Sequence, residues 1–270
     1  MLRVLVELGP LKIYSYGFML MAAFVVGIVL GVRRGRGREI PADTVMDLST
    51  QIVLAAIAGS RVLYVVTHRG AYAGSAWDVF RVWEGGLTVY GGALAAVLIS
   101  IWFCRRRRLP FLRMADTLAP SLALGVGIAR IGCFLNGCCF GHACDAQWAV
   151  RFPDGSLANH ALGNVGVHPA QLYASAAALV VFAVLLWVDR RRRREGFLFW
   201  LFLVLFGGVT FFTDFSRYWE ETAIVLRWET MRLSLNQVLE LGLVVLGVVR
   251  IVFMDRGSRG GRKEWEDGTP

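Results

Sequence analysis

Between residues 130 and 144 the chain reads RIGCFLNGCCFGHAC, with an arginine, an asparagine, a histidine and four of the five cysteines in fifteen positions. Such a set offers three chemistries. Thiolates and imidazoles ligate soft metals, paired thiols exchange electrons, and a guanidinium binds an oxyanion through a two-pronged hydrogen bond. The spacing fits the first two poorly. Structural zinc sites present ligands in pairs two to four residues apart on two knuckles, whereas Cys133, Cys138, Cys139 and Cys144 form two pairs with four residues between partners. CxxC, the mark of thiol oxidoreductases, is absent. Structural cysteines or disulfides, a metal site and a redox function all stay open on the residues alone.

Arg130 matters because of the segment that carries it. The 270-residue chain is 56% hydrophobic, too apolar for an ordinary soluble domain. A bilayer-spanning helix needs roughly 20 mostly apolar residues, and uncharged runs of about that length lie at 13–32, 85–104, 169–188 and 196–213. Three more spans, 48–66, 117–134 and 233–249, are each interrupted by a charge: Arg61, Arg130 and Glu240. The expected fold is therefore an all-α polytopic membrane protein with seven transmembrane helices. Residues 1–254 form one transmembrane domain, and 255–270, rich in glycine and charge, form a disordered tail. No internal repeat is visible. The first apolar run is too long for a signal-peptide core and its charges follow it, so it reads as a retained span.

Basic residues set the orientation, because Lys and Arg near span ends stay in the cytoplasm. Arg33, Arg34, Arg36 and Arg38 follow span one, residues 105–108 follow span three, 190–194 follow span five, and Arg250, Arg256, Arg259, Arg262 and Lys263 follow span seven. Four clusters agree on an outside, periplasmic N-terminus and a cytoplasmic C-terminus. They also account for most of the +9 net charge, so the charge is a topology signal rather than a nucleic-acid footprint.

On this topology, polar residues away from the clusters collect toward the outside. An arginine at mid-membrane costs roughly 2.5–3.5 kcal/mol and turns to the bundle interior or a wet cavity. Arg130 comes thirteen residues into its span, about 20 Å along a helix, among Gly125, Gly127 and Gly132. Arg217, with Asp214 one turn before it, follows span six, and Glu240 enters span seven from the same side. Snorkelling or a structural ion pair explains Arg61 and Glu240 as well as a binding role does. Converging arginines make an anion site, and in a bilayer the abundant anions are lipid phosphates. Gly85-Gly86 and Gly91-Gly92 flank the start of span three, where Trp83 and Tyr90 suit helix packing and the interfacial aromatic belt.

With these motifs in view, the chain resembles the prolipoprotein diacylglyceryl transferases, bacterial seven-span membrane enzymes. The resemblance is carried by Tyr16-Gly17, GSRVLY at 59–64, EGG and YGG around span three, and RIGCFLNGCCFG. HPAQLY at 168–173, DFSR at 214–217 and SLNQ at 234–237 continue it. It implies transfer of the diacylglyceryl group of phosphatidylglycerol to the lipobox cysteine thiol of a prolipoprotein signal peptide, forming a thioether and releasing glycerol phosphate. It implies an inner-membrane, multi-pass enzyme whose chemistry faces the outer leaflet, with no metal and no organic cofactor. Matched position by position, it implies catalytic roles for Arg130, Arg217, Tyr90 and Tyr16. Arg130, Arg217, Arg61, Asn136, Gly141, His168, Gln171 and Asp214 become the phosphatidylglycerol-binding set. Tyr90 stands where some members carry histidine, Cys133 and Cys138 where some carry asparagine and glutamate, and Ala174 where glutamate is common. Tyr90, Asp214 and His168 are the candidate proton acceptors. The reading from a different class is a membrane thiol-redox or metal-handling protein using the four clustered cysteines.

Overall fold

The computed structural model describes residues 4–8, 11–72, 76–81, 85–191, 193–219, 224–228 and 231–266. Trp83, expected in an aromatic belt, lies outside them. Seven helices are long and apolar enough to cross a membrane: α1 (Ser15–Arg36), α2 (Ala42–Thr67), α3 (Val89–Arg106), α4 (Phe111–Asn136), α6 (Ala170–Asp189), α7 (Phe197–Thr213) and α8 (Leu235–Glu266). A short α5 (Leu157–Leu162) lies between α4 and α6. Each expected span is met by one helix. α8 continues to Glu266, past the expected boundary at residue 255.

Four strands add to the all-helical expectation. β1 (Val4–Leu8) pairs antiparallel with β2 (Leu11–Tyr14), and β3 (Ile224–Trp228) with β4 (Met231–Ser234). Both hairpins carry an irregularity at the same place, between Val4 and Val6 and between Ile224 and Leu226. Each leads through a buried serine, Ser15 or Ser234, into a spanning helix. At α8 that serine makes a capping box: the Gln237 N–H donates to Ser234 Oγ at 3.3 Å, and the Ser234 N–H donates to Gln237 Oε1 at 3.0 Å. SLNQ is thus a helix-start signal, and Gln237 Nε2 also donates to the Phe211 carbonyl at the end of α7.

The contacts divide the chain into two compact units, Met1–Gly27 with Leu118–Pro270, and Ile28–Thr117. In the second unit α2 and α3 pack through small residues, with Gly92 against Ser60 and Ala56; glycine lets the backbones approach closely. The basic cluster after α1 has work of its own here. Pro120 inside α4 lacks an N–H, which frees the Asp116 carbonyl four residues earlier. Arg34 Nη2 donates to that carbonyl at 3.2 Å, and its Nε donates to Thr117 O at 3.0 Å.

Arg61 corrects an expectation. It is buried, and its guanidinium donates to four backbone carbonyls: Val79 (2.8 Å), Asp78 (2.6 Å), Gly85 (2.7 Å) and Gly86 (3.2 Å). A fork filled by carbonyls is not available to clamp a lipid phosphate. Its work is to fasten the segment before α3 onto α2. Arg61→Ala removes four part-buried hydrogen bonds from a charged donor, each worth at most about 1.5–3 kcal/mol. The expected result is a lower midpoint of thermal unfolding in detergent, with the KM for lipid unchanged in protein assayed below that midpoint. A raised KM at unchanged stability would restore the clamp.

In the first unit, Ala119 and Ala123 of α4, Val181 and Leu185 of α6, and Leu198 and Phe202 of α7 form one buried cluster. Glycines bring the helix axes together: Gly127 of α4 lies against Leu179 and Ser175 of α6, and Gly207 of α7 against Glu240 O and Val244 of α8. Ser175 Oγ donates to Gly127 O at 2.8 Å. In this unit the C-terminal ends of α4 and α7 and the N-terminal ends of α6 and α8 gather the polar motifs.

Candidate active site

α4 brings Arg130 up one face, and Gly132, two residues on, packs under α1. A Cβ there would meet Met19 at 2.9 Å and the Tyr16 ring at 3.5 Å, so the missing side chain lets Tyr16 lie against the arginine's helix. α4 stops at Asn136, followed by Gly137 at φ +73° and Cys139 at φ +58°. For a non-glycine residue the left-handed conformation costs about 1–2 kcal/mol. The turn is held by the Cys138 N–H on Cys133 O (3.2 Å) and by Gln171 Nε2 on Cys138 O (2.7 Å). Gln171 is 1% exposed and gives its amide N–H to the backbone. Its Nε2 thus holds the cysteine turn, while its Oε1 is buried without a hydrogen-bond partner among the described residues.

Beyond the turn, residues 140–144 are laced between two other segments. Gly141 N donates to His168 O, His142 N to Ser216 O, Tyr218 N to Phe140 O and Cys144 N to Gly166 O, all at 2.9–3.0 Å. Phe140, Phe152, Ala158 and Val167 form a small apolar core beneath this lacing. Gly141 is required by contact. A Cβ would lie 2.5 Å from His168 O and 2.6 Å from Ser216 O. His168 Nδ1 is 3.3 Å from the Tyr173 hydroxyl, which also accepts from Trp148 Nε1 at 2.8 Å. Burial and the neighbouring His168 push the His142 imidazole below its ordinary range.

The lacing delivers Arg217 to the end of α7. Its Nη1 is 3.9 Å from Asp214 Oδ1, and its guanidinium stacks 4.1 Å from the centre of the Trp219 ring. Arg130 and Arg217 both act electrostatically on Asp214 and on Cys139. Glu240 lies within reach of the same charges. Hydrogen bonds from Cys133 and Cys138, then the Arg217 and Arg130 charges, hold the Cys139 thiol below its usual range. Among the described residues, Arg217 Nε, Asp214 Oδ2 and Glu240 Oε2 are buried without a hydrogen-bond partner. Buried polar atoms are nearly always paired, so an unpaired set points to a ligand.

The structure thus gathers Tyr16, Arg130, Asn136, Gly141, His168, Gln171, Asp214 and Arg217 at one end of the first unit; Arg61 and Tyr90 belong to the second. Sequence reasoning missed Asn236, whose side chain hydrogen-bonds Asp214. Its place in SLNQ, two residues past a helix-capping serine, was the available signal. All five cysteines are free thiols in this structure.

Seven helices long and apolar enough to cross a membrane define a polytopic membrane protein, and its first unit carries the half-buried Arg130 and the ion-paired, half-buried Arg217 as a candidate anion site. Residues 3–253 match the family model described as prolipoprotein diacylglyceryl transferase. Curated relatives named phosphatidylglycerol–prolipoprotein diacylglyceryl transferase are similar over nearly the whole chain. That of Geobacter sulfurreducens is 32% identical over 95% of this chain and 96% of its own. That of Chromohalobacter salexigens is 35% identical over 94% and 92%. The chain belongs to the prolipoprotein diacylglyceryl transferase family. The thiol-redox and metal-handling alternative finds no support in these names.

Proposed function

We propose that this protein transfers the diacylglyceryl group of phosphatidylglycerol to the lipobox cysteine of prolipoprotein signal peptides, the first step of lipoprotein maturation. Family membership supports the reaction class, and the relatives' names supply the donor and acceptor. One observation supports the site. Two guanidiniums converge on Asp214 and Cys139 while Arg217 Nε and Asp214 Oδ2 stay buried and unpartnered among the described residues. A phosphate diester offers the several acceptor oxygens that such donors match.

In the proposed step the lipobox thiolate attacks the glycerol carbon bearing the phosphate ester. A C–S bond forms, the C–O bond breaks, and its electron pair leaves with glycerol phosphate, whose added charge Arg130 and Arg217 receive. The thiol proton goes to Asp214, whose Oδ2 is free to accept it among the described residues; His168 is the second acceptor in this unit. Tyr16 lies beside the reacting group, and Asn136 and Gly141 shape the loop next to it. The balance needs no metal, redox partner or organic cofactor.

The basic clusters at the C-terminal ends of α1, α3 and α6 and along the C-terminal part of α8 support an outside N-terminus, a cytoplasmic C-terminus and a site toward the outer leaflet of the bacterial inner membrane. The test uses phosphatidylglycerol labelled in the acyl chains and a lipobox peptide in detergent. Label should move to the peptide with one glycerol phosphate released per transfer, and a lipobox Cys→Ser peptide should receive none. Glycerol phosphate release without peptide labelling would make the protein a lipase and overturn the reading.

A further inference from the structure

The sulfur atoms of Cys133, Cys138 and Cys139 all lie within 4.8 Å of one another, half-buried at the end of α4. The transfer reaction uses none of these thiols. Linear spacing argued against a metal site, but the fold overrides that spacing. Gly137 and Cys139, both at positive φ, reverse the chain after α4 and return residues 138 and 139 to the thiol five positions upstream. A bond from a second helix, Gln171 Nε2 to Cys138 O, pins the reversal. Cys144 stands apart from the trio. Its backbone is bonded to Gly166, and it is not among the clustered sulfurs.

We propose that Cys133, Cys138 and Cys139 form a three-sulfur site for one thiophilic d¹⁰ cation, zinc(II) or copper(I). With zinc–sulfur bonds of about 2.3 Å, three ligand sulfurs sit roughly 3.8–4.0 Å apart, so sulfurs already within 4.8 Å of one another need to close by no more than about 1 Å. Soft thiolates select such ions over magnesium or calcium. Local charge agrees. Three thiolates around a dication carry a net negative charge, and Arg130 and Arg217, both acting on Cys139, offset it. A metal here occupies a wall of the arginine site. It therefore hinders the phosphate, making the transferase sensitive to thiophilic metals; this last consequence alone rests on the proposed function.

The test uses the full-length protein in detergent, purified with reductant and chelator and then freed of both. Titration with zinc against a chromophoric chelator should show one zinc per chain. The Cys133→Ser/Cys138→Ser/Cys139→Ser variant should bind none, and Cys144→Ser should still bind one. X-ray absorption at the zinc edge of the loaded wild type, which does not depend on any variant folding, should show three sulfur neighbours near 2.3 Å. Failure of the wild type to bind, retention in the triple variant, loss in Cys144→Ser, or a shell of nitrogen and oxygen would each overturn the proposal. In the transfer assay, stoichiometric zinc should lower the wild-type rate at least tenfold and leave the triple variant's rate unchanged. If no preparation transfers diacylglycerol, the functional reading falls while the zinc titration still decides the metal site.

Discussion

Arg130→Ala lowers diacylglyceryl transfer by about two to three orders of magnitude, the usual cost of deleting one preorganised donor to a developing negative charge. The expectation follows from where the guanidinium stands. It shares Asp214 and Cys139 as electrostatic neighbours with Arg217, inside a helix bundle where water screens little. Arg130→Lys keeps the charge but loses the planar fork, so it recovers part of the rate and no more. Arg217→Ala should match the loss in rate and add a loss of stability, since Arg217 also pairs with Asp214 and stacks on Trp219. The Arg130 variant is therefore the cleaner probe. The measurement is kcat at saturating phosphatidylglycerol, with thermal unfolding run alongside. A rate within tenfold of wild type, in protein that unfolds normally, would remove Arg130 from the reaction.

The spans and the arginines were legible because each is written in one stretch of chain. Length and apolarity announce a membrane helix locally, and a charge within such a run is conspicuous wherever it ends up. What escaped depends on residues far apart in sequence. The linear spacing of Cys133, Cys138 and Cys139 says nothing of the reversal at Gly137 and Cys139, both at positive φ, that folds it up. Arg61 looked like Arg130, a charge in an apolar run, and only the four carbonyls delivered by residues 78–86 separate a fastener from a ligand-binding group. Gln171 was expected at the site, and its hydrogen-bond partner is a backbone carbonyl 33 residues earlier. The hairpins were missed for another reason. Their alternating stretches, VLVEL with LKIY and IVLRW with MRLS, are short and abut longer apolar helices that dominate the hydropathy.

Gly141→Ala carries the second large expected effect, on structure first and on rate through it. The added methyl would sit 2.5 Å from the His168 carbonyl oxygen and 2.6 Å from that of Ser216. Both obstacles are backbone, one on each flank, so no side chain can swing away. Relief requires spreading the segments bonded to Gly141 and His142, and with them the bonds of Gly141 N to His168 O and His142 N to Ser216 O. Overpacking of this kind costs about 1–3 kcal/mol. Gly141 is also bridged to Arg217, so displacing it moves the guanidinium proposed to meet the phosphate, and small misplacements there cost about a hundredfold in rate. Gly208→Ala is the matched control. It lies in the same unit, within α7, where a Cβ meets nothing inside 4 Å. In that helix alanine is favoured over glycine by about 0.8–1.0 kcal/mol. The expected pair of results is a lowered unfolding midpoint with transfer nearly abolished for Gly141→Ala, and unchanged or raised stability with normal transfer for Gly208→Ala. Equal behaviour of the two variants in unfolding and transfer assays would mean that the loop is not clamped between α6 and the end of α7, and the placement of Arg217 would lose its explanation.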